Sequence, residues 1–217
     1  SDLIVTLGSR LDVRQVGGKR DNFAPNATII RIDIDEGELL YQIRENENDI
    51  CMNVEEILAY FEKKKDWNKD RYHEWLDVCN SIRHELSGID DRIGNNFVKN
   101  ISKFIPDGLT VTTDVGQNQV WVAQSYQVKK EQKILFSGGH GAMGYSLPAA
   151  IGVYYATQKP VISFNGDGGI QMNIQELEFI RREKLPIKII VFNNYALGMI
   201  RHFQEMYFQC NYTQTVY

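Results

Sequence analysis

The chain reads as an α/β protein, a doubly wound parallel sheet preceded by part of a second α/β domain, and three observations predict it. Two apolar β-rich runs, Val161–Phe164 and Ile189–Phe192, each stop at a polar cluster, Asn165-Gly-Asp-Gly-Gly169 in one case and Asn193-Asn194 in the other. Between them Ile170, Ile174, Leu177 and Ile180 share one face of a helix expected over 170–183. A strand, a helix and a strand in that order make a right-handed unit whose strands run parallel. The third observation lies upstream, where Leu3–Leu7 and Thr28–Ile34 are further strands ending in Gly8 and in Asp33 with Asp35.

Taken in order, residues 1–50 hold those two strands and read as part of a Rossmann-like domain. Residues 51–90 read as a helical linker. Asn53 with Glu56 resembles a capping box before the stripe Val54, Ile57, Leu58 and Phe61. Lys63-Lys-Lys65 reads as a solvated helix end. Tyr72, Trp75, Leu76, Cys79, Ile82 and Leu86 mark another helix, with Trp67 and Trp75 expected to pack. Residues 91–217 read as the main domain. Ile93, Phe97, Ile101 and Phe104 mark its first helix, which Pro106-Asp-Gly108 ends, and Leu109–Asp114 is a strand delivering Val115-Gly-Gln-Asn-Gln119 to the sheet edge.

Composition narrows the function. The 217 residues are 43% hydrophobic, enough for a packed core. A net charge of −4 and a pI near 5.6 lack the basic stripe of a nucleic-acid binder. No apolar run approaches the roughly 20 residues of a membrane span, and no signal peptide opens the chain. Cys51, Cys79 and Cys210 have no Cys-x-x-Cys spacing and suit reduced thiols in a cytoplasmic protein. Both ends look cut. The chain enters a buried strand without a start methionine, and Asn211–Tyr217 reads as a polar loop in which no element closes. An internal fragment or truncated chain is the expectation.

The chemistry concentrates where the parallel strands end. Asp167 brings a carboxylate and Asn194 an amide oxygen to the edge where open α/β sheets bind ligands. Such oxygens suit Mg²⁺, which completes its octahedron with phosphate and water. Gly168 and Gly169 open a helix, so backbone N–H groups are expected to face the same anion. Either turn alone is ordinary loop chemistry. Their placement on one β-α-β unit points to a metal-diphosphate site.

Ser137-Gly-Gly-His-Gly-Ala-Met-Gly-Tyr-Ser-Leu-Pro-Ala-Ala-Ile-Gly152, Asn165–Leu177 and Asn193-Asn-Tyr-Ala-Leu-Gly-Met199 resemble thiamine-diphosphate enzymes, and most closely the large catalytic subunit of acetolactate synthase. The 27-residue interval from Asp167 to Asn194 fits that family's paired motif. The resemblance implies the thiamine-diphosphate-binding fold, with Mg²⁺ on Asp167, Asn194 and the carbonyl of Ala196. It implies that Gln117, Asn118, Gly141, Met143, Gly168, Gly169 and Met199 meet thiamine diphosphate, with Met143 beneath the bent cofactor and the Gly141 carbonyl on its pyrimidine. Asn118 stands where the family usually has histidine. Phe203 stands where it has the tryptophan that helps choose the second 2-oxo acid. His140 reads as a loop residue or a general base, and the family pattern favours the loop.

Upstream, Asp33 is equally a turn aspartate or a ribose ligand on chemistry alone. The resemblance implies FAD on Gly8, Arg10, Asp12, Asp33 and Asp49, although Val13 replaces a family aspartate ahead of Arg14. The implied reaction is decarboxylation of pyruvate, with the cofactor as electron sink, and carboligation to a second 2-oxo acid, giving 2-acetolactate for branched-chain amino-acid synthesis. A glutamate that activates the cofactor is expected in a domain absent from this chain, reaching across a homodimer or tetramer interface. A small regulatory subunit is a further expected partner, and the fragment alone is expected to be inactive. A pyruvate oxidase, a sugar carboligase or a non-catalytic cofactor-binding relative are the alternatives.

Overall fold

The computed structural model describes residues 1–45, 47–64, 72–87 and 92–216, with backbone only at Arg14 and Ser87. Trp67 and Lys65 lie outside the described residues. The chain divides into two compact units, Ser1–Asp77 and Val78–Tyr217.

In the first unit β1 (Leu3–Leu7), β2 (Thr28–Asp33) and β3 (Glu47–Cys51) form a parallel sheet in that order. The third strand was not legible in Glu-Asn-Asp-Ile-Cys, because asparagine and aspartate disfavour strands intrinsically. What fixes it is a buried ion pair. Arg31 of β2 is almost fully enclosed and meets Glu47 Oε2 at 3.2 Å. The same guanidinium donates to the carbonyls of Tyr41 at 3.1 Å and Glu38 at 2.9 Å. Glu47 Oε1 accepts from the amides of Ile43 and Arg44, both at 3.0 Å. Two buried charges paired with each other specify the register of β3, since either one left alone would be costly.

Short helices α1 (Val13–Val16) and α2 (Glu36–Leu39) follow β1 and β2, and α3 (Val54–Lys63) follows β3. The Asn53 side chain caps α3 by accepting from the Glu55 amide at 2.9 Å. The next helix, α4 (His73–Ser87), keeps Trp75, Leu76, Ile82 and Leu86 about half exposed. The packing role expected of Trp75 is therefore not met among the described residues. The periodicity made a helix, but nothing described covers its stripe.

The second unit is a four-stranded parallel sheet, ordered β5-β4-β6-β7, from β4 (Thr110–Thr113), β5 (Lys133–Phe136), β6 (Val161–Gly166) and β7 (Ile187–Phe192). Helices α5 (Ile93–Ser102) and α6 (Gln117–Ser125) supply Val98 and Val122 to a core with Val111, Ile162 and Phe164 on one face. Helices α7 (Ser146–Thr157) and α9 (Glu176–Arg182) bury Leu147, Ala150 and Ile180 with Val161 and Ile187 on the other. Both faces are covered, which is the doubly wound arrangement, and it explains why β6 is buried continuously from Val161 to Asn165. Full burial of a side chain such as Phe164 contributes roughly 1.5–3 kcal/mol.

Two helices differ from expectation. The α5 stripe lies mostly outside, with Ile93 and Phe104 strongly exposed, because the helix turns Val98 and Asn95 inward instead. Asn95 Nδ2 donates to Ser125 Oγ at 2.8 Å, and Gly94 backs onto the Trp121 ring. The single helix expected over 170–183 is two, α8 (Asp167–Gln171) and α9. Between them the amides of Met172, Glu176, Leu177 and Glu178 bond three residues back, at 3.1 Å each, a tighter winding than the α-helix. Asn173 leaves the helical path to donate its side-chain amide to the Gly144 carbonyl at 2.8 Å.

Beneath the sheet edge runs a buried polar ladder. Thr112 Oγ1 meets Ser146 Oγ at 2.9 Å, Ser146 Oγ meets Ser163 Oγ at 2.8 Å, and Asn165 Nδ2 donates to Ser163 Oγ at 2.9 Å. It ties the start of α7 to β4 and β6. The C-terminal segment also closes an element, against expectation. Val216 bridges Ala196, and the Leu197 amide donates to the Thr215 carbonyl at 2.9 Å. Among the described residues no helix is long and apolar enough to cross a membrane.

Candidate functional site

All four strands of the second sheet end on one edge, and the loops that leave them line a single cleft. After β4 come Val115–Asn118, after β5 Gly141 and Met143, after β6 Gly166–Gly169, and after β7 Asn194, Ala196 and Leu197. The first turn of α10 (Gly198–Tyr207) completes it with Met199 and Ile200. Gln117, Asn118, Gly141, Met143, Asp167, Gly168, Gly169, Asn194, Ala196 and Met199 are therefore gathered at one place. Leu197 and Ile200 line the cleft at the start of α10, and Trp121 and Phe192, not singled out from sequence, line it too. Their signal is weak, since isolated apolar residues read as core.

The chemistry of this edge can be built atom by atom. Asp167 Oδ1 accepts the Gly168 amide at 3.0 Å, whereas Asp167 Oδ2 is buried with no hydrogen-bond partner among the described residues. An orphaned carboxylate oxygen there is costly unless a cation or donor meets it. Asn194 Oδ1 accepts the Ala196 amide at 3.1 Å, and an amide oxygen has a second lone pair to offer. Asn193 Oδ1 makes the same kind of turn with the Tyr195 amide at 3.1 Å. Tyr195 takes a left-handed φ of 55° between them, a conformation rare for an aromatic residue and found where a turn is held by its surroundings. One carboxylate, one amide oxygen and one backbone carbonyl, from Ala196, fit a hard cation that keeps phosphate and water in its remaining positions.

The anion side is less open than the sequence suggested. Helix α8 has only five residues, and the Gly168 amide is turned back onto Asp167. Asn118 is buried and its Nδ2 donates to the Asp114 carbonyl at 2.8 Å, so that amide is already used. Gln117 reaches across to Asn194, which donates to its Oε1 at 3.0 Å.

Asp114 is the residue sequence reasoning missed. It is fully buried, and its carboxylate accepts the amides of Val115 at 2.9 Å, Tyr145 at 3.0 Å and Gly144 at 3.2 Å. Burial holds its pKa above the ordinary carboxylate value, against the opposing pull of those three amides. A Cβ on Gly169 would collide with this carboxylate, so the glycine is required there. The only signal in the sequence was a lone acid one residue past a threonine-rich strand.

Phe203 does not line the cleft. It is half exposed and packs on Tyr207, with ring centroids 4.7 Å apart. Arg201 and His202 sit at the rim beside Glu205, in a depression that also touches Gln117 and Asn194. His140 is exposed on the glycine loop.

The flavin candidates are not gathered in this way. Gly8 follows β1 at a left-handed φ of 58°, and Asp33 Oδ1 accepts the Asp35 amide at 3.0 Å in a local turn. Arg10 lies 3.7 Å from Glu38 on the surface, and Asp12 starts α1 by accepting the Val16 amide through its carbonyl. Asp49 lies within β3, opposite Arg31, and opens on a separate depression with Gln42 and Cys51 that none of the other four lines.

Residues 114–217 match the family of the thiamine pyrophosphate enzyme C-terminal TPP binding domain. The acetolactate synthase isozyme 2 large subunit of Escherichia coli K12 is 34% identical over 99% of this chain and 39% of its own length. Isozyme 1 from the same organism is 35% identical over 96% of this chain and 38% of its own. The acetolactate synthase large subunit of Lactococcus lactis is 35% identical over 100% and 38%. The chain thus spans about two fifths of the length of these relatives.

Proposed function

We propose that this chain, whose residues 114–217 match the C-terminal TPP binding domain of the thiamine pyrophosphate enzymes, supplies the Mg²⁺- and diphosphate-binding half of an acetolactate synthase-like enzyme. The observation that carries the reading is Asp167 Oδ2, buried without a hydrogen-bond partner among the described residues, in the same cleft as Asn194 and Ala196. Asp167, Asn194 and the Ala196 carbonyl would hold Mg²⁺. Gly141 and Met143 would face the rings of the cofactor from the glycine loop. Trp121, Phe192, Leu197 and Ile200 wall the cleft with apolar surface. When bound, thiamine diphosphate supplies an electron sink for decarboxylating a 2-oxo acid.

For the whole protein the proposed reaction joins the two-carbon unit of pyruvate to a second 2-oxo acid, giving 2-acetolactate in the cytoplasm. The similarity to proteins named large subunits supports a small subunit as partner, and a homodimeric or tetrameric whole protein is part of the same proposal. Acceptor choice stays with a second reading, another thiamine-diphosphate carboligase, because Phe203 is turned away from the cleft. FAD is retained as a cofactor of the whole protein only. Among the described residues Asp49 lines a depression that Gly8, Arg10, Asp12 and Asp33 do not.

Calorimetric titration of the 217-residue chain tests the reading. Thiamine diphosphate is expected to bind weakly and only with Mg²⁺, and Asp167→Ala to abolish that dependence. Binding indifferent to Mg²⁺ and to the substitution would sink the assignment, as would appreciable acetolactate formation by the chain alone.

A further inference from the structure

We propose that Asp114 is a positioning residue that holds the glycine loop 138–143 in register with the Gly168–Gly169 turn. The inference rests on the cofactor reading above and adds a residue to it. Asp114 touches three of the segments that line the cleft. Its own chain continues into Val115–Asn118, its carboxylate takes the amides of Gly144 and Tyr145 where the glycine loop ends, and the bare backbone of Gly169 packs against it.

Gly144 is held from both sides. Its amide goes to Asp114 Oδ2 at 3.2 Å and its carbonyl accepts from Asn173 Nδ2 at 2.8 Å. It adopts a φ of 82°, and an added Cβ would lie 2.7 Å from Met172 Cβ and 2.8 Å from Asn173 Nδ2. Upstream of this pin, Gly138, Gly139 and His140 are exposed, with open space around both glycines. A loop with so little packing of its own takes its position from its anchors. Met143, one residue before the anchor, and Gly141 are the parts of the loop that line the cleft. Asp114 therefore sets where the ring-facing end of the site lies relative to its diphosphate end. The split helix follows from the same contact, since Asn173 leaves α8 to complete the clamp.

Two variants of the 217-residue chain test this. Asp114→Asn keeps the volume beside Gly169 but cannot accept at both oxygens, and Asn173→Ala opens the clamp from its partly exposed side. Hydrogen exchange at Gly144 and Tyr145 is expected to rise about tenfold in Asp114→Asn, the scale of one lost charge-assisted bond, with β6 amides unchanged. Both variants are expected to bind thiamine diphosphate about tenfold more weakly, yet to bind magnesium pyrophosphate as the parent does. Unchanged exchange at Gly144 and Tyr145, or equal weakening of both ligands, would overturn the proposal. Should the parent bind neither ligand, the cofactor reading fails, and exchange at the two amides still decides whether Asp114 is the clamp.

Discussion

Asn194 donates its side-chain amide to Gln117 Oε1 at 3.0 Å, joining the loop after β7 to the loop after β4 across the mouth of the cleft. Those strands are not neighbours, since β6 lies between them. The bond therefore spans the strand that carries Asp167. It also fixes the Asn194 amide plane, so Oδ1 faces the Ala196 amide and its remaining lone pair has one direction. Gly198 permits this approach, because a Cβ there would run into the Gln117 side chain.

Gln117→Ala is accordingly expected to weaken Mg²⁺-dependent thiamine diphosphate binding by about three- to tenfold, the worth of one orienting hydrogen bond. Asn194→Ala, which removes the proposed ligand itself, is expected to cost at least about a hundredfold, in line with loss of a charge-assisted contact. Titration of both variants at fixed Mg²⁺ measures the ratio. Equal losses would mean that Gln117 is itself a ligand rather than an orienting group.

Gly169→Ala is expected to destabilise the second unit, because its Cβ would fall on the buried Asp114 carboxylate. Neither side can yield easily. Asp114 is held by three amides, and Gly169 sits in a helix start fixed by β6. Overpacking of this kind costs about 1–3 kcal/mol. Thermal melts of the chain should show a loss of several degrees, and the same substitution at Gly152, where the space is open, should show little. A melt of Gly169→Ala that matched the parent would refute the close approach.

The second unit was readable because each level of its sequence agreed. Val161–Phe164 and Ile189–Phe192 are apolar enough to read as strands, and the polar turns that end them fix the sheet edge. What escaped was long-range. Nothing near Asn173 in sequence announces that its partner is the Gly144 carbonyl, so the helix through it read as unbroken. Asp114 looked like a strand end because its three amides come partly from residues 144 and 145. The strand Glu47–Cys51 was hidden for the same reason, its propensity being overridden by Arg31 from β2.

That override makes the first unit vulnerable at one place. Glu47→Gln leaves the Arg31 guanidinium enclosed with two carbonyls and no counter-charge. Breaking a buried pair from one side costs about 3–5 kcal/mol. Glu47→Gln is expected to lower the denaturant midpoint of residues 1–77 sharply, while an Arg31→Met, Glu47→Leu double replacement recovers most of the loss. Chemical denaturation followed by exchange at β2 amides measures both. If the double replacement were no better than the single, the ion pair would be contributing net stability.

Tyr126 contributes to the alkaline stability of the second unit. Its hydroxyl is buried, donates to Gln132 Oε1 at 3.2 Å, and its ring meets Phe164 edge-on at 6.3 Å. Burial disfavours the phenolate, and the pKa is pushed up to about 12 from 10.0, with the Gln132 bond opposing in part. The folded chain thus keeps its proton where the unfolded chain has lost it. Stability from this group is complete below pH 10, the unfolded value, and is lost as pH rises through about 12. The amount is on the order of 1–2 kcal/mol after allowance for partial screening. Tyr126→Phe removes the titration but also leaves Gln132 Oε1 with only the Lys129 amide at 2.9 Å. The variant is expected to be slightly less stable at pH 8 and to lose less than the parent between pH 10 and 12. Urea midpoints across that range measure the difference, and parallel curves for the two proteins would remove Tyr126 as the cause.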